Sequence, residues 1–188
     1  MMQNFEERIM CKKLNEVSGM TPARLLEIYS DGVDSYAVDV EAILTKLGIS
    51  CYDYDFSGSN QKMFSCDPDS EIIGAIVLRG DDLSIFVSTK CSEEEQRFII
   101  AHELGHCCLH SATLKNNKVE YSKKSHLESC KHEEEADLFA IELLIPEDSL
   151  RTVYKNLFVK SLSVLAKVFC VTVDVMRRRL GQLNLCFE

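Results

Sequence analysis

The chain contains no apolar run near the roughly 18 residues that a membrane-spanning helix needs, so no such span is expected. Positive charge is short as well. Against 30 Asp and Glu there are 21 Lys and Arg, a formal net charge of -9 at pH 7. That balance disfavours a protein whose main task is to grip a phosphate backbone. The first residues, Met1 to Glu7, offer neither a basic n-region nor an apolar h-region, so no signal peptide is expected and the expected compartment is the cytoplasm. The cysteines number nine, an odd count, with irregular spacing and no C-x-x-C pair. Free thiols, several of them buried as small apolar groups, are the expected state. No internal repeat or low-complexity tract occurs.

What remains is ordinary globular composition. Of the 188 residues, 46% are hydrophobic, enough for one domain with its own core. Residues 1–18 carry Phe5, Ile9 and Leu14 at a loose helical spacing. Thr21-Pro22 is a cap followed by proline at the first helical position, and predicts a helix to about Tyr29. Asp34 is expected to cap another helix, in which Ala37, Val40, Ile43, Leu44 and Leu47 recur and Gly48 forms the end. A strand is expected between Ile49 and Phe56. A hairpin should follow, from Ile72–Leu78 through the turn at Arg79 to Asp82 into Leu83–Ser88. Ser92 and Glu95 form a capping box that opens a helix running to about His110. Residues 113–131, polar and lysine-rich, read as a mobile loop, a candidate gate between the segments on either side. Helices are then expected over Glu133–Ile145, Pro146–Leu157, Leu162–Phe169 and Val173–Leu183. The expected class is α+β, mostly helical, with a small and largely antiparallel sheet and a C-terminal helical segment. Residues 1–157 should form the main domain, and 158–188 a helix-turn-helix-like segment packed on it.

One stretch carries chemistry. His102-Glu103-Leu104-Gly105-His106 reads H-E-x-x-H inside the capped helix. Residues four apart lie on one helical face, so His102 and His106 can offer two ring nitrogens to one metal ion, with Glu103 placed to take a proton from water as general base. A catalytic zinc wants three protein ligands. His110 lies on the same face, but about 6 Å further along the axis, too far to join the other two. Packing or a supporting contact is its expected role. Cys107 and Cys108 are near enough to keep a thiolate ligand open. The next helix begins with Glu133-Glu134-Glu135. Its apolar stripe at Ala136, Phe139, Ala140 and Leu143 extends back to Glu133 or His132, which puts Glu133 at its inner edge, whereas Glu134 points away from the stripe and Glu135 lies to one side. Gly105, unfavourable by about 1 kcal/mol against alanine within a helix, suits a close approach by another backbone or by the metal site.

These blocks resemble the ImmA/IrrE family of metallopeptidases. The carrying residues are Arg97-Phe98, Ala101 to His106 and Leu109-His110. After them come Glu133-x-x-Ala136-Asp137-x-Phe139-Ala140 and Leu143-Leu144-Ile145-Pro146. The hairpin of Gly74–Ser88 and the tail at Leu165-Ala166, Phe169 and Arg179-Leu180 agree too, so the likeness spans about residues 36–183. It implies a zincin-like, gluzincin-type fold with one catalytic zinc on His102, His106 and Glu133, and Asp137 supporting the site. It also implies a protein substrate, a DNA-binding helix-turn-helix repressor cut to release transcription. Zinc suits two histidines and a carboxylate best, although manganese or iron can occupy such a set. His126, His132 and Tyr121 are candidates for donating to the developing oxyanion. If Leu83–Ser88 is an edge strand, a substrate peptide can add to it.

Two rival readings follow from the same residues. Leu165–Val173 with Met176–Leu180 has the outline of a DNA-binding helix-turn-helix. The net charge favours a helical pair packed on the core, its arginines solvated, so direct nucleic-acid binding is not expected. Alternatively, the chain is a metal-bound regulatory or toxin-like protein that acts by binding a partner or DNA without proteolysis.

Overall fold

The computed structural model describes residues 11–30, 35–57, 71–114, 119–123, 131–158 and 160–186. Eight helices and four strands follow one another in these segments: α1 (Lys12–Val17), α2 (Pro22–Tyr29), α3 (Val40–Leu47), β1 (Ser50–Tyr54), β2 (Ile72–Arg79), β3 (Asp82–Ser88), α4 (Glu93–Leu109), β4 (Val119–Lys123), α5 (Lys131–Leu144), α6 (Glu147–Asn156), α7 (Leu162–Phe169) and α8 (Val173–Gln182). The class is the expected one, α+β and mostly helical.

Local chemistry sets most of the boundaries. The Thr21 hydroxyl accepts from the Arg24 amide, and Pro22 occupies the first position of α2. Ser92 and Glu95 close a reciprocal capping box at the start of α4: the Ser92 amide donates to Glu95 Oε2 at 2.8 Å and the Glu95 amide to Ser92 Oγ at 3.3 Å. α3 starts later than expected. Its cap is Asp39, whose carboxylate accepts from the Ala42 amide, while Asp34 lies outside the described residues. Asp39 lies within the run that the spacing predicts to be helical from before Ala37, so α3 is shorter at its start than the spacing suggests. Gly48 ends α3 at φ 68°, where a side chain would be strained.

The sheet has strand order β1-β3-β2-β4. β2 pairs antiparallel with β3 through the hairpin and antiparallel with β4, while β1 runs parallel to β3. Two expectations change here. β3 is an inner strand, so no peptide can add to it; among the described residues the edges are β1 and β4. The segment read as loop between residues 113 and 131 contains β4. Its polar composition hides the strand, because what holds it is main-chain bonding to the open side of β2, with Tyr121 opposite Ala75.

α4 is buried almost all round, from Ile99 through Gly105 and again at Cys107 and Cys108. The sheet lies on one side of it and α5 on another. A Cβ on Gly105 would stand 3.2 Å from Phe139 Cδ1 and 3.3 Å from both Cα and O of Ala136, so α4 and α5 approach backbone to backbone at that point. The end of α1 docks on α4: the Gly19 amide donates to the Cys108 carbonyl at 2.7 Å. Arg97 on α4 donates to the carbonyls of Val38 at 2.6 Å and Cys170 at 3.1 Å, tying the approach to α3 and the end of α7 to the same helix.

The C-terminal arginines are not simply solvated. Arg179 is 6% exposed and donates through Nε to the Ile145 carbonyl at 3.0 Å, answering an unpaired acceptor at the end of α5. Arg178 reaches Asp137, and Arg177 pairs with Asp174 within α8. α7 and α8 contribute Leu165, Phe169, Met176 and Leu180 to the same apolar cluster as α3, α4 and α5.

Gly105→Ala tests the close approach. Helix propensity alone would reward the alanine by about 1 kcal/mol. Against that, the methyl would meet the Ala136 backbone, which cannot swing aside as a side chain can, and overpacking of this kind typically costs about 1–3 kcal/mol. The expected outcome is a net loss of stability in denaturant unfolding; a gain would mean that the helices separate freely.

Candidate metal centre

The first two donors come from one face of α4. His102 and His106 are four residues apart, and their Nε2 atoms lie 3.0 Å from each other. Glu133, in the first turn of α5, faces both: Oε2 is 3.2 Å from His102 Nε2, and Oε1 is 3.3 Å from His106 Nε2. Zinc bound tetrahedrally at about 2.0–2.1 Å would hold its ligand atoms about 3.3 Å apart. His102, His106 and Glu133 are thus a candidate metal site, the only such group of three among the described residues. A carboxylate in the first turn of a helix also sits well with the helix dipole.

The other side of each ring is also occupied. His102 Nδ1 lies 2.9 Å from Asp137 Oδ1, and the other oxygen of Asp137 accepts from Arg178 Nη1 at 2.9 Å. His106 Nδ1 lies 3.1 Å from His110 Nδ1, and His110 Nε2 lies 2.9 Å from Glu135 Oε2. With acceptors at their outer nitrogens, both rings can turn bare Nε2 lone pairs inward beside the carboxylate. Three lone-pair donors held at such distances repel one another unless a proton or a cation lies among them, which is the condition that a divalent ion satisfies.

The titration of these groups follows from their contacts. Burial alone would lower the pKa of His102, but hydrogen bonds to Asp137 and Glu133 outweigh it and raise it to about 10. The neighbouring His102 and His106 rings hold the Glu133 carboxyl far below the usual carboxylate range. Asp137 is pushed up by burial, but the bond to His102 and the pair with Arg178 leave it lowered. His110 is lowered by burial in spite of its bond to Glu135, so its ring is neutral near pH 7.

Glu103 is 1% exposed and lies against the sheet. A Cβ on Gly74 of β2 would stand 2.5 Å from Glu103 Oε1 and 2.6 Å from Ile99 Cγ2, so the carboxylate occupies the space that the missing side chain leaves. Gly74 sits where the register between β2 and β4 shifts.

The remaining candidates are dispersed. His132 is exposed at the start of α5, and its ring stacks on that of His110 with centroids 4.2 Å apart. The backbone of Tyr121 lies in β4, and His126 lies outside the described residues. Cys107 and Cys108 are buried; burial pushes the Cys107 thiol well up and the Cys108 thiol to about 12, and neither joins the candidate site. Gly74, Glu135 and Arg178 belong to the surroundings of the centre without having been singled out from the sequence. His110 and Glu135 could have been found from the acidic run opposite a histidine one turn past His106. Arg178 carries no such signal, because its partner is on another helix.

Metal uptake should release protons. His102 holds one near pH 7 when no ion is present, and an ion must displace it from Nε2, while Glu133 is already ionised. Affinity should therefore rise by about tenfold per pH unit between pH 6 and 8, with about one proton released by His102. Isothermal titration of the metal-free protein in buffers of different ionisation enthalpy counts that proton. An affinity independent of pH would contradict this protonation state.

Among the described residues no helix is long and apolar enough to cross a membrane. Comparison with curated proteins returns no match. A family model described as the IrrE N-terminal-like domain, Peptidase_M78, matches residues 45–181, which takes in the hairpin, α4 with its H-E-x-x-H, all of α5 and most of α8. With that match over most of its length, the chain belongs to the IrrE N-terminal-like family of metallopeptidases.

Proposed function

We propose that the protein is a zinc-dependent endopeptidase that cuts one specific protein substrate, a DNA-binding repressor of the helix-turn-helix kind. The observation that carries this reading is the meeting of His102, His106 and Glu133 beside Glu103, the next residue along α4, against the sheet. His102, His106 and Glu133 would hold the ion. Two imidazoles and a carboxylate suit zinc. When bound, such an ion lowers the pKa of water from 15.7 to about 7 and polarises a carbonyl oxygen. Glu103 takes the proton as the water oxygen bonds to the peptide carbon, then delivers it to the amine nitrogen as the carbon–nitrogen bond breaks. Asp137 keeps His102 in the tautomer that presents Nε2, and Arg178 holds Asp137.

The substrate class rests on the likeness of about residues 36–183 to the ImmA/IrrE peptidases. Recognition through an extended segment is supported by β4, among the described residues the edge strand nearer to Glu103: its Ser122 pairs with Gly74, the residue against which that carboxylate lies. Residues 158–188 act within the peptidase domain in this reading, supported by the shared core and by the contacts of Arg178 and Arg179 with α5 and its end. Those same contacts occupy arginines that DNA would need, so direct nucleic-acid binding is not part of the proposal. The described cysteines are free thiols, in keeping with a cytoplasmic enzyme.

Co-expression with helix-turn-helix regulators, read by mass spectrometry for cut sites, tests the activity. Glu103→Gln should retain the metal and slow cleavage by about 100- to 10,000-fold, the usual contribution of a general base. Unaltered cleavage, or metal binding with no regulator ever cut, would count against the peptidase reading. Gly74→Ala tests the pocket behind Glu103. The added methyl overlaps Glu103 Oε1, the end of a flexible side chain, and Ile99 Cγ2, which must shift, so unfolding in denaturant is measured beside activity; a carboxylate displaced by about 1 Å should lower the rate on the order of 100-fold in folded protein with zinc content unchanged.

A further inference from the structure

The two rings of the centre are steered by different kinds of group. His102 leans directly on a carboxylate, Asp137, at 2.9 Å. His106 leans on another imidazole, His110, which is 7% exposed and has its own carboxylate, Glu135, on the far side. His132 stacks on His110 and fills one face of its ring.

A count of hydrogens fixes the order of this chain. A neutral imidazole has one N–H and one lone pair. Between His106 Nδ1 and His110 Nδ1, 3.1 Å apart, one hydrogen is required. Glu135 Oε2 can only accept, and it lies 2.9 Å from His110 Nε2, so the single hydrogen of His110 is on Nε2. His110 Nδ1 is then a lone pair and must accept from His106. The hydrogen of His106 is therefore on Nδ1, and its Nε2 is bare toward His102 and Glu133. The opposite arrangement would put a hydrogen on His106 Nε2, where it would block coordination.

We infer that His110 and Glu135 are positioning residues, and that Glu135 sets the tautomer and aim of His106 from two hydrogen bonds away. The inference rests on the reading of His102, His106 and Glu133 as a metal centre. Neither residue touches the ion or the substrate. Their work is to present His106 Nε2 in the form that coordinates, as Asp137 does for His102. Packing alone explains little here. The Glu135 side chain is 38% exposed, and its other neighbour is Lys131 in an exposed pair of a kind that contributes little to stability.

The test is metal affinity, measured with zinc and with cobalt by competition against a chelator, together with the visible spectrum of the cobalt form. Glu135→Leu removes the acceptor, and His110→Phe keeps a ring beside His132 but removes both nitrogens. Each should weaken binding about 10- to 100-fold and alter the cobalt bands. Glu135→Gln keeps an acceptor oxygen and should recover most of the affinity. Melting of the metal-free Glu135 variants should match that of the parent protein. Native affinity and spectrum in Glu135→Leu would overturn the inference even if His110→Phe fails to fold, as would an affinity loss matched by a loss of metal-free stability. If the parent protein takes up neither ion, the metal centre itself fails, a result separable from native binding in the variants.

Discussion

Two imidazole nitrogens and a carboxylate, held 3.0–3.3 Å apart between α4 and α5, are the constraint on which the rest of the structure depends. Atoms with lone pairs do not gather in this way for their own sake. Bringing them together needs two helices in near contact, and Gly105 supplies it, since any side chain there would press on the Ala136 backbone. A glycine that weakens the helix by itself therefore lets the helix meet its partner. The capping box at Ser92 and the burial of α4 on nearly all sides hold that helix rigid while its polar residues face inward.

Placing so many polar groups in an interior is unfavourable unless each finds a partner. Here the partners come from progressively more distant parts of the chain. Asp137 reaches His102 from the next helix, and Arg178 reaches Asp137 from the last one. His106 is served by His110 on its own helix and, through it, by Glu135 across the gap. The C-terminal helices thus do more than cover apolar surface. A charge on α8 balances a charge on α5 that orients a ring on α4, which makes residues 173–182 part of the support of the centre.

Features written in short sequence spans were legible without coordinates. The spacing of His102 and His106, the Ser92 box, the hairpin around Gly80 and the stripe that leads back to Glu133 each lie within one or two turns or strands. Their physics is local, so pattern reveals it. What could not be read depends on contacts between distant segments. β4 is polar in composition and exists because β2 has an open side, a fact about the sheet and not about Val119–Lys123. Asp39, the cap of α3, lies inside the run that spacing assigns to one longer helix. Arg178 and Arg179 look like neighbours in a basic run, yet one meets a carboxylate on α5 and the other a carbonyl at its end. The same three arginines that suggest a nucleic-acid surface in the sequence are largely engaged by the protein.

Gly74 shows how an absent side chain can shape a site as firmly as a present one. β2 is otherwise an apolar, well-packed strand, and any larger residue at this position would collide with Ile99 as well as with Glu103. The space is left open, and Glu103 uses it. A carboxylate that is 1% exposed rests there against the inner strand of the sheet. The sheet therefore does more than back the helix: at Gly74, its inner strand sets where the Glu103 carboxylate rests, and so how far this proposed general base stands from the atoms on which it is proposed to act.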